Sequence, residues 1–235
     1  MKIRTARAVP LPLTALVAAF GAVAALAVSN GGAAQAMDGY PGHAAHATAV
    51  HAGAVARSEL ALRNDMRRLW EDHIVWTRLA IISLTTGSPD TQATVARLLQ
   101  NQTDIGNAFK PFYGAAAGNA VTGLLRDHIL IAADLIGAAK RGDQAALASA
   151  QARWQQNADD IAALLNRANP RYWKLNAMKA MLAQHLTLTT QEAVARLQGD
   201  WAADVAAYDK IHRHALGMAD MLSSGLVKQF ARRFR

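Results

Sequence analysis

The sequence predicts an all-α fold, a six-helix bundle built from repeated helical hairpins, and three observations carry that expectation. From Arg57 onward apolar residues recur at three-to-four spacing in a background rich in Ala, Leu, Gln and Arg, without alternating β-branched runs. Gly or Pro interrupts this pattern at roughly helical-hairpin intervals. Two long stretches also repeat the same polar residues at the same places.

The first helix is expected over 57–86, ending at Gly87 in "TTGSPD" (85–90), where Ser88 is placed to cap the next helix and Pro89 to occupy its first position. The second runs over 89–110 to the break "KPFYG" (110–114), and the third over 115–140 to "KRGDQ" (140–144). The fourth, over 143–167, stops at "RANPRYW" (167–173), and a short fifth covers 173–187. Thr189 with Glu192 three residues later has the spacing of a capping box, which starts a long sixth helix over 190–229.

The residues before Arg57 differ in kind. Lys2, Arg4 and Arg7 precede an apolar run from Leu11 to Val28 and then Ala34-Gln35-Ala36, the pattern of a secretory signal peptide over 1–36. The run is about 18 residues, near the lower limit for a span, so an uncleaved anchor is the competing reading; Pro10, Pro12 and the Ala-x-Ala site favour cleavage. No later segment is apolar enough to span, and the protein is expected in the periplasm or outside the cell. Residues 37–56, rich in Ala, Gly and His, read as a flexible tether to a bundle domain over 57–235. Its His43, His46 and His51 are incidental or a metal-capturing tract.

The formal charge is +8, and losing Lys2, Arg4 and Arg7 with the signal takes it to +5. That is modestly basic and gives no nucleic-acid footprint. The one basic cluster, "KQFARRFR" (228–235), reads as a solvated helix end, with contact to an anionic surface as the alternative. The chain has no Cys, which removes disulfides, thiolate ligands and thiol nucleophiles.

The repeat locates the candidate site. "LWEDHIVWTRLAII" (69–82) aligns with "LLRDHILIAADLIG" (124–137), matching Asp-His-Ile at 72–74 and 127–129. "LLQNQTDIG" (98–106) aligns with "RWQQNADDIA" (153–162), matching Asn101 with Asn157, Asp104 with Asp160 and Ile105 with Ile161. A third, degenerate unit places His185 in "MLAQHLTL" (181–188) and echoes Asp160-Ile161 with Asp204-Val205. Helical spacing puts His73 and His128 on their core faces, where an unpartnered polar group costs about 1 to 3 kcal/mol. The layer is therefore satisfied by its own side chains or by something bound.

Both outcomes are carried forward. In one, each His donates to the Asp or Asn of its own hairpin, and the polar core fixes helix register. In the other, His73, His128, His185, Asp104, Asp160 and His212 hold a metal ion or a small polar ligand, the carboxylates orienting the second ring nitrogens. His212 enters because it extends the stripe Trp201, Val205, Tyr208 and stands three residues after Asp209; His214 lies off that stripe and is expected at the surface. With only Glu59, Glu71 and Glu192, and no Glu-x-x-His, a ferritin-like di-iron centre is set aside in favour of a mononuclear imidazole–carboxylate site for Zn, Cu or Ni. No nucleophile elbow, phosphate loop or His-Glu-x-x-His is present, so a secreted enzyme ranks third, behind a binding protein and a structural or interaction protein. Five Trp at helical spacing read as core, with ring-shaped ligands as the alternative.

"LWEDHIVWTRLAIIS", "LLQNQTDIGNAFKPFYG" and "LLRDHILIAADLIGAAKRGD" together resemble a family of secreted, all-helical bacterial proteins without an established activity. The likeness covers most of 60–230. Relatives carry inconsistent labels, among them glycosyltransferase, whose usual fold needs alternating strands and helices and an Asp-x-Asp metal motif that this sequence lacks. The resemblance implies the all-α fold and export, and brings no functional residues with it.

Overall fold

A computed structural model describes residues 45–234, with side chains from Ser58 onward. The expected signal peptide, residues 37–44 and the side chains of His46 and His51 lie outside the described residues. Among the described residues the chain forms five α-helices and no strand: α1 (Ala45–Thr86), α2 (Thr91–Arg141), α3 (Gln144–Ala168), α4 (Leu175–Gln198) and α5 (Trp201–Gln229), followed by a 3-10 turn at Ala231–Phe234. The all-α expectation holds; the six-helix count does not, and each difference has a local cause.

The first concerns the start of α1. Its backbone is helical from Ala45, so the second part of the expected tether continues the first helix. Alanine at every second or third position there supplies strong helix propensity without an amphipathic pattern. At the other end Gly87, at φ 70°, lets its own N–H and that of Ser88 reach the Ser83 carbonyl oxygen at 2.9 and 3.0 Å. Asp90 rather than Ser88 flanks the next helix; its carboxylate accepts from Ser83 Oγ at 2.6 Å and caps no backbone N–H.

The second concerns α2, one run of 51 residues where two helices are expected. Pro111 lacks the N–H that an interior position would donate, and Gly114 takes φ 83°, ψ 170°, a backbone region open essentially to glycine. In a straight helix Gly106 and Gly118 would stand about 18 Å apart. Here a Cβ on Gly106 would lie 2.6 Å from the Gly118 carbonyl oxygen, and one on Gly118 2.7 Å from that of Gly106. The chain therefore reverses at Gly114, and the two glycines let the arms of α2 touch.

The third concerns the fifth and sixth helices. No break occurs at 187–190: α4 continues to Gln198, and the turn is Gly199, at φ 72°, with Asp200 accepting from Ala203 N at 3.0 Å as the cap of α5. Thr189 Oγ1 donates to the His185 carbonyl oxygen at 2.9 Å, four residues back, and Glu192 reaches another helix. A capping-box spacing inside a helix thus serves other bonds.

Packing follows from these turns. α1 runs antiparallel to α5, with Arg67 on Asp220, Glu71 on His212 and Arg78 on Asp204. Ala80 of α1 meets Leu98 and Ile129 from the two arms of α2, Ile81 meets Ile136 and Ala193, and Ile74 meets Ile211 and Ala215. α1 packs against α2, α5 and, more lightly, α4, while α3 packs against α2 and α4. No helix among the described residues is long and apolar enough to cross a membrane.

Candidate functional site

The core that these helices enclose contains imidazoles. His73 of α1, His128 of the second arm of α2 and His185 of α4 are 3%, 4% and 3% exposed. His185 sits between the other two, its ring centroid 5.9 Å from that of His73 and 5.8 Å from that of His128. The fourth member is His214 of α5, 6.2 Å from His185 and half-buried. Trp70 and Trp154 flank the layer, 5.4 Å from His73 and 5.2 Å from His128.

Neutral amides hold the outer edge. His128 Nδ1 donates to Asn157 Oδ1 at 2.8 Å, and Asn157 Nδ2 in turn donates to the Leu124 carbonyl oxygen at 3.0 Å. The carbonyl acceptor puts the proton on Nδ1 and leaves Nε2 a lone pair. Asn101 makes the matching bond in the other hairpin, Nδ2 to the Leu69 carbonyl oxygen at 3.0 Å; Leu69 precedes His73 by four residues, as Leu124 precedes His128. His73 differs in its immediate partner, since Gln102 Nε2 donates to its Nδ1 at 3.2 Å. His214 Nε2 donates to the Met181 carbonyl oxygen at 3.0 Å.

No carboxylate enters the layer, so burial disfavours the charged imidazole without opposition from an anion. Burial, aided by the neighbouring His128, pushes His73 down to about 4 against its amide bonds, and burial pushes His128 down to about 4 as well. His185 is held well below the usual histidine range by burial and then by the three other imidazoles; burial also lowers His214. Four neutral rings therefore meet at ordinary pH. Four buried polar atoms in and beside the layer, His185 Nδ1, Gln102 Oε1 and the indole nitrogens of Trp70 and Trp154, have no hydrogen-bond partner among the described residues.

Of the residues proposed from sequence, His73, His128 and His185 come together, and three do not. Asp104 and Asp160 stay at the surface, each accepting from the Gln four residues earlier, Gln100 at 3.1 Å and Gln156 at 3.0 Å. Three residues beyond Asn101 and Asn157 they have turned toward water, where a carboxylate avoids the cost of burial without a cation. Asp160 lines a groove of about 450 Å³ with Asp127, Asp134 and Arg153, whose inner wall includes Asn157. His212 donates from Nε2 to Glu71 Oε1 at 2.7 Å on the flank of the bundle, and Asp209 is exposed. The stripe assigned to α5 faces outward: Trp201 is 58% and Val205 54% exposed. The buried stripe is Asp204, Ala207, Ile211, Ala215, Met218 and Leu222, and His214 lies on its edge.

Sequence reasoning also missed a buried ion cluster next to the layer. Arg78 of α1 binds both oxygens of Asp204 at 2.7 and 3.0 Å and Glu192 Oε1 at 2.8 Å, while Arg196 reaches Asp204 Oδ2 at 3.1 Å. Burial pushes Glu192 up to about 7 against the pull of Arg78, and its Oε2 has no partner. For Asp204, burial is outweighed by the two guanidiniums, which hold it below the usual carboxylate range. The available signal was the core stripe through Ile211 and Met218, which places Asp204 inside.

No family model, curated protein or solved structure matches the chain. Its function is argued from this geometry alone. Among the described residues no group of three or more His, Asp or Glu side chains is arranged as it stands to hold a metal ion.

Proposed function

We propose that this protein is a binding protein whose imidazole layer takes up a divalent transition-metal ion, Zn, Cu or Ni, with His185 as the central ligand and His73, His128 and His214 around it. The observation that carries this reading is His185 Nδ1, buried without a hydrogen-bond partner among neutral rings. Neutral imidazole is the form that coordinates such ions, and the amide and carbonyl bonds on His128 and His214 are the kind of outer contacts that orient metal-ligating rings. Metal–nitrogen distances of about 2.0 to 2.1 Å place ligating rings roughly 5 Å apart, centroid to centroid. His185 stands 5.8 to 6.2 Å from each of the other three rings, so an ion bound by all four would draw those three toward one another as well as toward His185. The similar Asn bonds to Leu69 and Leu124 carbonyl oxygens favour a duplicated hairpin as the origin of the layer.

A second reading, a polar layer that only fixes helix register, is favoured by the same amide bonds, which tie α1 to the first arm of α2 and the second arm to α3. The two separate by experiment on the chain lacking residues 1–36, the form expected after export; the packing contacts described above all lie at 58–234. Under the binding reading one equivalent of metal co-purifies or titrates in, and a metal at 100 times its dissociation constant stabilises the fold by about 2.7 kcal/mol. His185→Ala abolishes that shift. Absence of any shift from Zn(II), Cu(II) or Ni(II), with His73→Gln and His128→Gln still lowering apo stability, establishes the register reading instead. A shift that survives His185→Ala and disappears when residues 37–56 are deleted relocates the metal to His43, His46 and His51.

A further inference from the structure

The end of the bundle where α2 reverses, α3 meets α4 and α5 closes is chemically unlike the rest. Three segments converge there. Asn169 Nδ2 donates to the Gly225 carbonyl oxygen at 3.0 Å, Gln229 Nε2 to that of Ala168 at 3.0 Å, and Arg233 Nη1 to that of Pro111 at 2.8 Å. Trp173 is fully buried against Phe109, Tyr113 and Gly225, where a Cβ would collide with the indole. Outside this plug the rings of Phe112, Tyr172, Phe230 and Phe234 are half-buried, and Leu175 is 38% exposed.

The charges around those rings are of one sign. No Asp or Glu occurs in 105–126, 161–191 or 221–235. Arg167, Arg171, Lys174, Lys228, Arg232 and Arg233 are exposed, and none forms an ion pair among the described residues. Several lie over aromatic faces: Arg233 over Phe112 and Phe230, Arg171 and Lys228 over Tyr172. Elsewhere on the bundle Arg63, Arg67, Arg97 and Arg153 are paired with carboxylates. The excess positive charge is thus gathered on one end.

We propose that this basic, aromatic end is a docking surface for an anionic lipid bilayer. Unpaired cations near an anionic membrane are attracted within a Debye length, and half-buried rings beside them suit the headgroup level, where an amphipathic ring keeps one edge apolar. Arg171, Lys228 and Arg233 stand directly over these rings, so positive charge and apolar surface are presented together, the combination that an anionic headgroup layer takes. α1 also packs at this end, since Arg63 donates to Ser224 Oγ beside the end of α5. This inference is independent of the metal reading.

The test is sedimentation with vesicles of phosphatidylcholine alone or with phosphatidylglycerol, using the chain without residues 1–36 so that the apolar run does not contribute. Binding is expected only with phosphatidylglycerol and should be lost at about 0.5 M salt. A triple variant, Arg167→Glu, Lys228→Glu and Arg232→Glu, should bind at least about a hundredfold more weakly. A control reversing exposed cations elsewhere, Arg126→Glu, Lys210→Glu and Arg213→Glu, should bind as the parent does; circular dichroism and melting confirm that both fold. Equal loss in the two triple variants, equal binding to vesicles of either composition, or tight binding to heparin or single-stranded DNA without vesicle binding each overturns the proposal.

Discussion

Protonating a buried imidazole means placing a charge where no anion can meet it, and this core holds three such rings. For His73 and His128 the folded state binds its proton only near pH 4, whereas the unfolded chain binds it near 6.5. Between those values the unfolded state carries more protons, so stability falls as the pH drops from about 6.5 to 4, by roughly 3 kcal/mol for each ring. Glu192 acts in the opposite direction: raised to about 7 by burial, it is protonated more readily when folded, and its contribution weakens as the pH rises from 4.5 to 7. Urea unfolding across pH 4 to 8 is therefore expected to show stability rising from pH 4 to about 6.5, with the Glu192 contribution opposing that rise from 4.5 upward. His128→Gln should flatten the rise and Glu192→Gln should steepen it; an unchanged acid slope in His128→Gln contradicts the buried, neutral assignment.

At the scale of a helix, the continuity of α4 through 187–190 has a sharp consequence. Were Thr189 a cap, Thr190 would be the first helical residue, a position that accepts proline readily. In the observed helix, proline at 190 removes an interior hydrogen bond and clashes with the carbonyl of residue 186. Thr190→Pro should thus destabilise by about 3 kcal/mol or more, measured by denaturant midpoint. Asp200→Ala, at the actual cap, should cost about 1 kcal/mol. Tolerance of Thr190→Pro would restore the expected break. Gly199-Asp200 carries boundary residues as Thr-x-x-Glu does, but the helix expected from sequence runs unbroken through it. What chose between them was Glu192, whose carboxyl is committed to Arg78 and so is not free to cap.

For the molecule as a whole, Arg78 is the residue that binds three helices at once, α1 through its own backbone, α4 through Glu192 and α5 through Asp204. Asp204 is 1% and Glu192 0% exposed, so truncating Arg78 strands Glu192 in the interior and leaves Asp204 with Arg196 alone. Arg78→Ala should cost about 3 to 5 kcal/mol, read from thermal or urea unfolding. Replacing Arg78, Glu192 and Asp204 together with apolar residues of similar volume should recover most of that loss, because the cost lies in the uncompensated charges. A triple variant no more stable than Arg78→Ala alone would mean that the cluster contributes through packing.

The sequence by itself determined the helical class, the turns at Gly87, Gly142 and Asn169, and the core placement of His73 and His128, because each depends on spacing along one helix or on a single residue's conformational preference. It also put Asn101 and Asn157 at matching places, and each donates to the carbonyl oxygen of the leucine four residues before a buried histidine. Tertiary structure alone decided which polar groups face inward. Asp104 and Asp160 stand at matching places in the sequence but outside the interior, because no cation waits there; Asp204 is buried because Arg78 and Arg196 converge on it from two other helices. The same holds for α5, whose outward stripe carries Trp201 and Val205 and whose inward stripe carries Asp204 and the edge residue His214. Hydropathy ranks a tryptophan above an aspartate for burial, and only the partners assembled by the fold reverse that order.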